Sequence, residues 1–246
     1  MMQELWHGDC LKLMKDIPDK SVDMILCDPP YGTTSMKWDE CLNFDYMWEE
    51  YKRILINNGT VVLFGSGIFT AKLICSKEDW YKYSLVWRKS KCGSPLLAKY
   101  RPMMKHEDVV VFTKNGKRHK TFNPTMIEGK PYKRTNVDIK VNNHGYGLKQ
   151  VTTDNKGTRY ADSILDFPQK WRRQDQIHPT QKPVELTEHL IKTYTNEGDL
   201  VLDNCAGSGS TLVAAKNLNR QFIGIEKEKE YYDICLERLK EKEEFE

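Results

Sequence analysis

Asp28-Pro29-Pro30-Tyr31 sets an acid, two prolines and a phenol in four consecutive positions. Proline lacks an N–H and keeps its backbone extended, so the pair leaves carbonyls that neither a helix nor a ladder uses. A carboxylate and a free carbonyl can together accept both hydrogens of an exocyclic –NH2, and a neighbouring aromatic ring can stack on the ring that carries it. Chemistry on the amino group of a nucleobase requires these groups. Standing alone, the same residues would also make a proline-stiffened turn.

The C-terminal third carries a second such stretch. Asp203-Asn204-Cys205-Ala206-Gly207-Ser208-Gly209-Ser210-Thr211 follows a strand-like run and precedes the helix-like Leu212-Val213-Ala214-Ala215-Lys216. Strand, glycine turn and helix open a nucleotide-binding βαβ unit. Its next strand, Gln221-Phe222-Ile223-Gly224-Ile225-Glu226, closes on an acid roughly 20 residues on, where dinucleotide-binding folds hold a ribose. There is no third glycine at the dinucleotide spacing and no Gly-Lys-Ser/Thr, which disfavours a pyrophosphate or triphosphate cradle. A nucleoside carried on an amino acid fits better. Upstream, Thr180, Gln181 and Lys182 put a hydroxyl, an amide and an ammonium beside the start of an amphipathic helix, where an amino-acid carboxylate would be stabilised. His178 reads as structural.

Strands must position these groups. Val22-Asp23-Met24-Ile25-Leu26-Cys27 reads as a buried strand, so the tetrapeptide sits at a carboxyl end, where open α/β sheets place their ligand crevice. Pro183 fits the first turn of a helix through Val184, Leu186, Leu190, Ile191 and Tyr194, and Tyr232, Cys235, Leu236 and Leu239 recur at the spacing of a closing helix. At 246 residues the chain suits one α/β domain with a modest insert.

The formal charge of +3 hides an asymmetry: residues 113–176 hold 14 Lys and Arg against 6 Asp and Glu, a local +8 that leaves −5 for the rest. Interleaved aromatics (Phe122, Tyr132, Tyr146, Tyr160, Phe167, Trp171) suit a polyanion made of bases, with a solvated linker as the alternative. Lys117, Arg118 and Lys120, with Arg172 and Arg173, are the candidate phosphate contacts, and Asn142-Asn143-His144-Gly145-Tyr146-Gly147 reads as a mobile loop. No apolar run approaches the roughly 18 residues of a membrane span, and the N-terminus lacks signal-peptide character. The expected setting is intracellular. The 7 cysteines are scattered without metal-site spacing and read as reduced thiols, so no metal is expected.

These motifs together resemble the amino-methylating DNA methyltransferases that use S-adenosylmethionine, in the circularly permuted β-type order. The resemblance spans nearly the whole chain. His7-Gly8-Asp9-Cys10 resembles the motif touching the cofactor's adenine, Asp28-Pro29-Pro30-Tyr31 the catalytic motif, and Glu226 the ribose-binding acid. His178 to Pro183 and Asp203 to Thr211 resemble the methionine-side motifs, with Asp203-Asn204-Cys205 standing where the family has Asp-Pro-Phe. The resemblance implies S-adenosylmethionine as cofactor, held by Asp9, Cys10, Asp28, Thr180, Gln181, Lys182, Asp203, Asn204, Cys205, Ala206, Gly207, Ser208, Gly209, Thr211 and Glu226. It also implies Asp28, Pro29, Pro30 and Tyr31 as the catalytic set.

The implied fold is a doubly wound, mostly parallel, Rossmann-like α/β sheet of the class I methyltransferase type in permuted order, its last strands lying beside its first. Residues 1–112 would form the catalytic half, 113–176 a basic target-recognition insert and 177–246 the cofactor-binding half. The implied reaction is base flipping followed by direct in-line methyl transfer to adenine N6. An acid first and a tyrosine fourth in the tetrapeptide accompany adenine in the family, whereas a serine first is common among cytosine-N4 enzymes. Cytosine N4, an RNA or small-molecule acceptor, and a non-catalytic DNA-binding or restriction-associated subunit are the alternatives. Trp38 belongs to a loop that either covers an extruded base or buries its indole at the surface. DNA is the expected partner, without a membrane, in a bacterial, archaeal or phage-encoded cytoplasmic protein. A second copy of the chain and a restriction endonuclease are the further partners considered.

Overall fold

The computed structural model describes residues 2–33, 39–93, 95–116, 118–142, 145–169 and 181–240, with backbone alone for 136–142 and 145–151. Among them, one sheet is built from β1 (Gln3–His7), β2 (Val22–Cys27), β3 (Leu55–Gly65), β4 (Tyr81–Gly93), β5 (Met104–Thr113), β10 (Ile164–Leu165), β11 (Leu200–Asp203) and β12 (Gln221–Glu226). Their spatial order is β1-β12-β11-β2-β3-β5-β4-β10. Only the β3–β5 and β4–β5 pairs are antiparallel. The last two strands of the chain stand between its first two, as the permuted order requires.

The period of two along each strand sorts side chains between the faces. Ile25, Cys27, Val61 and Leu63 pack with α2 (Phe44–Ile54) and α3 (Ile68–Ser76) through Met47, Trp48, Tyr51, Phe69 and Leu73. Met24, Leu26, Val62 and Phe64 pack with α4 (Val184–Tyr194) and α5 (Ser210–Asn217) through Leu186, Leu190, Ile191, Leu212 and Ala215. Because both faces are covered, β2 is nearly uninterrupted apolar sequence rather than alternating. α1 (Cys10–Leu13) is capped by Asp9, whose carboxylate accepts from Leu11 N at 2.9 Å, and α6 (Lys229–Lys240) buries Cys235.

Residues 124–162 form a separate compact unit, narrower than the 113–176 span of high positive charge. It holds β6 (Met126–Glu128) paired with β9 (Thr158–Tyr160), and β7 (Tyr132–Asn142) paired with β8 (Gly145–Asn155). Of the segment expected as a mobile loop, Asn142, Gly145, Tyr146 and Gly147 are in the β7–β8 ladder, where Asn142 pairs with Gly145, Val141 with Tyr146 and Lys140 with Gly147; Asn143 and His144 lie outside the described residues.

Candidate active site

Asp28 leaves β2 at its carboxyl end and receives the Tyr31 hydroxyl at 2.9 Å. No hydrogen bond reaches the Pro29 carbonyl from the described residues. Pro29 and Pro30 cannot donate, so Tyr31 carries the first N–H after Asp28 that can be anchored. One buried carboxylate takes it together with the next two: Asp39 Oδ1 accepts from Tyr31 N at 2.7 Å and Gly32 N at 2.9 Å, and Oδ2 accepts from Thr33 N at 2.9 Å. Gly32 has φ +66°, the left-handed turn that lets consecutive N–H groups converge on one anion. The Tyr31 ring stacks on Phe69, centroids 4.6 Å apart and planes at 24°. Burial, then the charge of Asp28, pushes the Tyr31 phenol well above its ordinary range, so the hydroxyl stays a donor.

A lysine from far along the chain completes this end. Lys182, just before α4 and only 6% exposed, places its ammonium on Asp28 Oδ2 and 3.3 Å from Glu107 Oε2. Glu107 lies on β5, and its other oxygen accepts from Lys89 at 2.7 Å. Burial lifts Asp28 above the usual carboxylate range, with Lys182 opposing and Glu107 reinforcing the rise. For Glu107 burial works in the same direction, but Lys182 and Lys89 together outweigh it and hold the group low. Burial by itself would lower Lys182, yet the two acids raise it. The sequence reading gives Lys182 to a ligand carboxylate; in the structure its ammonium neutralises the first residue of the tetrapeptide.

The glycine turn meets the same space from β11. Asp203 is buried, accepts from Cys205 N at 3.1 Å, and is pushed up to about 7, chiefly by burial. Asn204 Oδ1 accepts the Tyr51 hydroxyl at 2.6 Å, which ties the turn to α2. Glu226, ending β12, accepts from Gly207 N and Glu228 N, both at 2.7 Å, and burial raises its pKa. Cys205 and Cys10 line the wall between these groups, and Cys27 beneath them is pushed up to about 12 by burial.

A cavity of about 500 Å³ joins both ends, lined by Asp28 and Tyr31 at one and by Asp9, Gly207 and Glu226 at the other. Pro29, Pro30, Cys10, Gln181, Lys182 and Glu107 also face it, as do Asp203, Asn204, Cys205, Ala206, Ser208 and Thr211. Gly209 does not: a Cβ there would lie 2.3 Å from the Cys235 sulfur, so this glycine serves the close approach of α6. Gln181 Oε1 is buried without a hydrogen-bond partner among the described residues. An acceptor-rich lining with an orphaned amide oxygen fits a ligand that brings hydroxyls, an ammonium and a further positive charge, as S-adenosylmethionine does.

Of the basic residues expected to touch DNA, the two that are described, Arg118 and Lys120, do not line this cavity. β5 runs antiparallel to β3, so its end at Thr113 pairs with Thr60, on the edge of the sheet opposite Asp28. Arg118 is exposed beyond that end, and Lys120 pairs at 2.7 Å with Asp23 at the start of β2. Lys120 thus holds strand ends together on the wrong side of the sheet for the cavity. Lys117, Arg172, Arg173, Thr180, His178 and Trp38 lie outside the described residues. Asp39 and Glu107 are absent from the residues that the sequence singles out. Asp39 has one usable signal: N–H groups released after two prolines need an acceptor.

The profile of the N6/N4 DNA methylase family matches residues 22–237. The type II methyltransferase M.HpaI of Haemophilus parainfluenzae is 32% identical over 253 residues, covering 97% of this chain and 74% of that protein. The DNA adenine methyltransferase YhdJ of Escherichia coli is 32% identical over 250 residues, covering 95% and 81%. Among solved structures, the M1.HpyAVI complex with S-adenosylmethionine superposes with TM-score 0.69 at 26% identity, covering 97% of this chain and 99% of the other. The cytosine-N4-specific PvuII methyltransferase shares the fold at TM-score 0.67 and 19% identity, covering 95% and 85%. With a profile across most of its length and relatives above 30% identity along nearly all of it, the chain belongs to the N6/N4 DNA methylase family.

Proposed function

We propose that this enzyme transfers the methyl group of S-adenosylmethionine to N6 of adenine in DNA. The observation carrying the reading is the junction at Asp28: an acid and a Pro29 carbonyl that no described residue hydrogen-bonds, at a strand end beside the Tyr31 ring, opening into a cavity whose far wall holds Glu226. The first and fourth residues, Asp28 and Tyr31, favour adenine over cytosine, as does the likeness to a named DNA adenine methyltransferase.

In this mechanism Glu226 would accept ribose hydroxyls, Gln181 Oε1 would accept from the methionine ammonium, and the Cys10 and Cys205 thiols would pack against the methionine side chain. When bound, S-adenosylmethionine supplies an electrophilic methyl on a sulfonium. Extruding the adenine costs a few kcal/mol of stacking and pairing, of which Tyr31 recovers part. Asp28 and the Pro29 carbonyl then accept the two amino hydrogens and orient the nitrogen lone pair, and as N6 gains the methyl group it gives up one of these protons, by way of the Asp28 carboxylate, to solvent. For Asp28 to do so, Lys182 must shift its ammonium toward Glu107, which already lies within 3.3 Å. Positioning and electrostatics carry the rate enhancement. The type II class of M.HpaI extends the proposal to a restriction endonuclease partner of matching specificity.

The test is expression in a host free of DNA methylation, followed by genomic sequencing that reports modified bases. N6-methyladenine in one short sequence context is expected; unmodified DNA from cells containing folded protein would refute the reading.

A further inference from the structure

Residues 80–106 contain seven Lys and Arg and no Asp or Glu. Three of the seven are engaged within the fold: Lys82 donates to the Gly116 carbonyl at 3.0 Å, Arg88 pairs with Asp166, and Lys89 pairs with Glu107. Lys91, Lys99, Arg101 and Lys105 are exposed. They lie in or beside the connection between β4 and β5, residues 94–103. Because β5 is antiparallel to β3 and β4 to β5, this connection emerges on the same edge of the sheet as Asp28. Met104 stands three residues along β5 from the cavity-lining Glu107, roughly 10 Å at the rise of a strand.

The connection also carries large apolar side chains in water. Leu96 is 91% exposed and Tyr100 85%. Successive backbone hydrogen bonds order them: Ala98 N donates to Pro95 O at 3.2 Å, and Tyr100 N and Arg101 N donate to Leu97 O at 2.9 and 3.0 Å. Ordered apolar groups among exposed cations, beside a cavity for a base, match a ligand that is anionic outside and aromatic inside. An acidic protein surface would satisfy the cations but give Tyr100 and Leu96 no stacked rings to enter.

We propose that the β4–β5 connection is a DNA-contacting element, with Lys91, Lys99, Arg101 and Lys105 on phosphates and Leu96 and Tyr100 against the base stack next to the target. The proposal rests on the assignment of DNA as substrate. It places contact on the cavity edge, whereas Lys120 is tied to Asp23 on the opposite one.

Two variants of the full chain test it, both altered only at exposed positions: Lys91→Gln/Lys99→Gln/Arg101→Gln/Lys105→Gln, and Leu96→Ala/Tyr100→Ala. Binding to a random-sequence 30-base-pair duplex is measured across salt concentrations, and methyl transfer is measured on unmethylated plasmid DNA, native and heat-denatured. The first variant should flatten the log–log salt slope by about two to four, near 0.9 for each phosphate no longer neutralised. The second should keep the slope, lose at least about tenfold in transfer to native DNA, and lose little on denatured DNA, where no stack must be opened. Unchanged slope and transfer in both, with an active wild type, would overturn this element alone. A change of sedimentation coefficient in the second variant would assign the surface to a second copy of the chain and overturn it as well. A wild type that neither binds nor methylates DNA would overturn the substrate assignment and this proposal with it.

Discussion

The ammonium of Lys182 sits on the carboxylate of Asp28, 154 residues away in sequence. A buried acid and base so placed neutralise each other, and Glu107 on the far side gives the lysine an alternative partner. Lys182→Met would remove the cation on Asp28 and leave its carboxylate beside Glu107, which keeps Lys89, raising the pKa of Asp28 further. The acidic limb of the pH–rate profile should move to higher pH, with kcat reduced at neutral pH. An unmoved limb in a folded variant would remove Lys182 from control of Asp28.

Asp39, at the wall of the cavity, anchors three consecutive N–H groups of the catalytic loop. Hydrogen bonds to charged groups contribute about 1.5–3 kcal/mol, partly replaceable by water. Asp39→Ala should therefore lower kcat roughly tenfold to a hundredfold through misplacement of Tyr31, while cofactor affinity changes little. Steady-state kinetics with isothermal calorimetry would separate the two, and an unchanged kcat would contradict the anchoring role.

Glu226 is the acid proposed to hold the ribose. Glu226→Ala should raise the dissociation constant for S-adenosylmethionine roughly tenfold or more, the equivalent of one charge-assisted hydrogen bond. DNA affinity should be preserved. Calorimetry returning the wild-type value would put the ribose elsewhere in the cavity.

Asp203 links the site to stability. Its carboxyl titrates at about 7 when folded, because it is buried, and near 3.9 when unfolded. The folded state therefore binds more protons between those values, so the group opposes folding increasingly as pH rises through that window, by at most about 4 kcal/mol above it. In cofactor-free protein, Asp203→Asn should raise the melting temperature most above pH 7, with the gain fading as pH falls to about 4. Melting curves across pH check this; a gain that does not depend on pH would contradict the buried-acid account.

The parts of the site legible in the sequence are those whose chemistry is contiguous. Asp28 to Tyr31 and the turn from Asp203 to Thr211 each declare a strand end, and Glu226 follows at the interval set by one helix and one strand. Lys182 is legible as a cation at a helix start, but its partners depend on how β2 and β5 fall in the sheet, which local spacing does not encode. Gly209 misleads for a related reason: a glycine in a glycine turn can serve a ligand or a neighbouring helix, and here Cys235 decides. Linear charge density does not encode which end of a strand a charge reaches: antiparallel pairing puts the end of β5 at Thr113, and Lys120 beyond it, opposite Asp28, and the start of β5 at Met104 on the same side as Asp28.

In the proposed reaction Asp28 directs a methyl group to adenine N6. The most direct measurement is digestion of DNA treated with wild-type protein or with Asp28→Ala, followed by mass spectrometry of the nucleosides. Wild-type protein should yield N6-methyladenosine in its deoxy form and no N4-methylcytosine, and Asp28→Ala should reduce the yield by at least about two to three powers of ten, the range for removing a preorganised polar group at a reacting centre. N4-methyldeoxycytidine as the product, or near-normal turnover by the folded variant, would contradict the account.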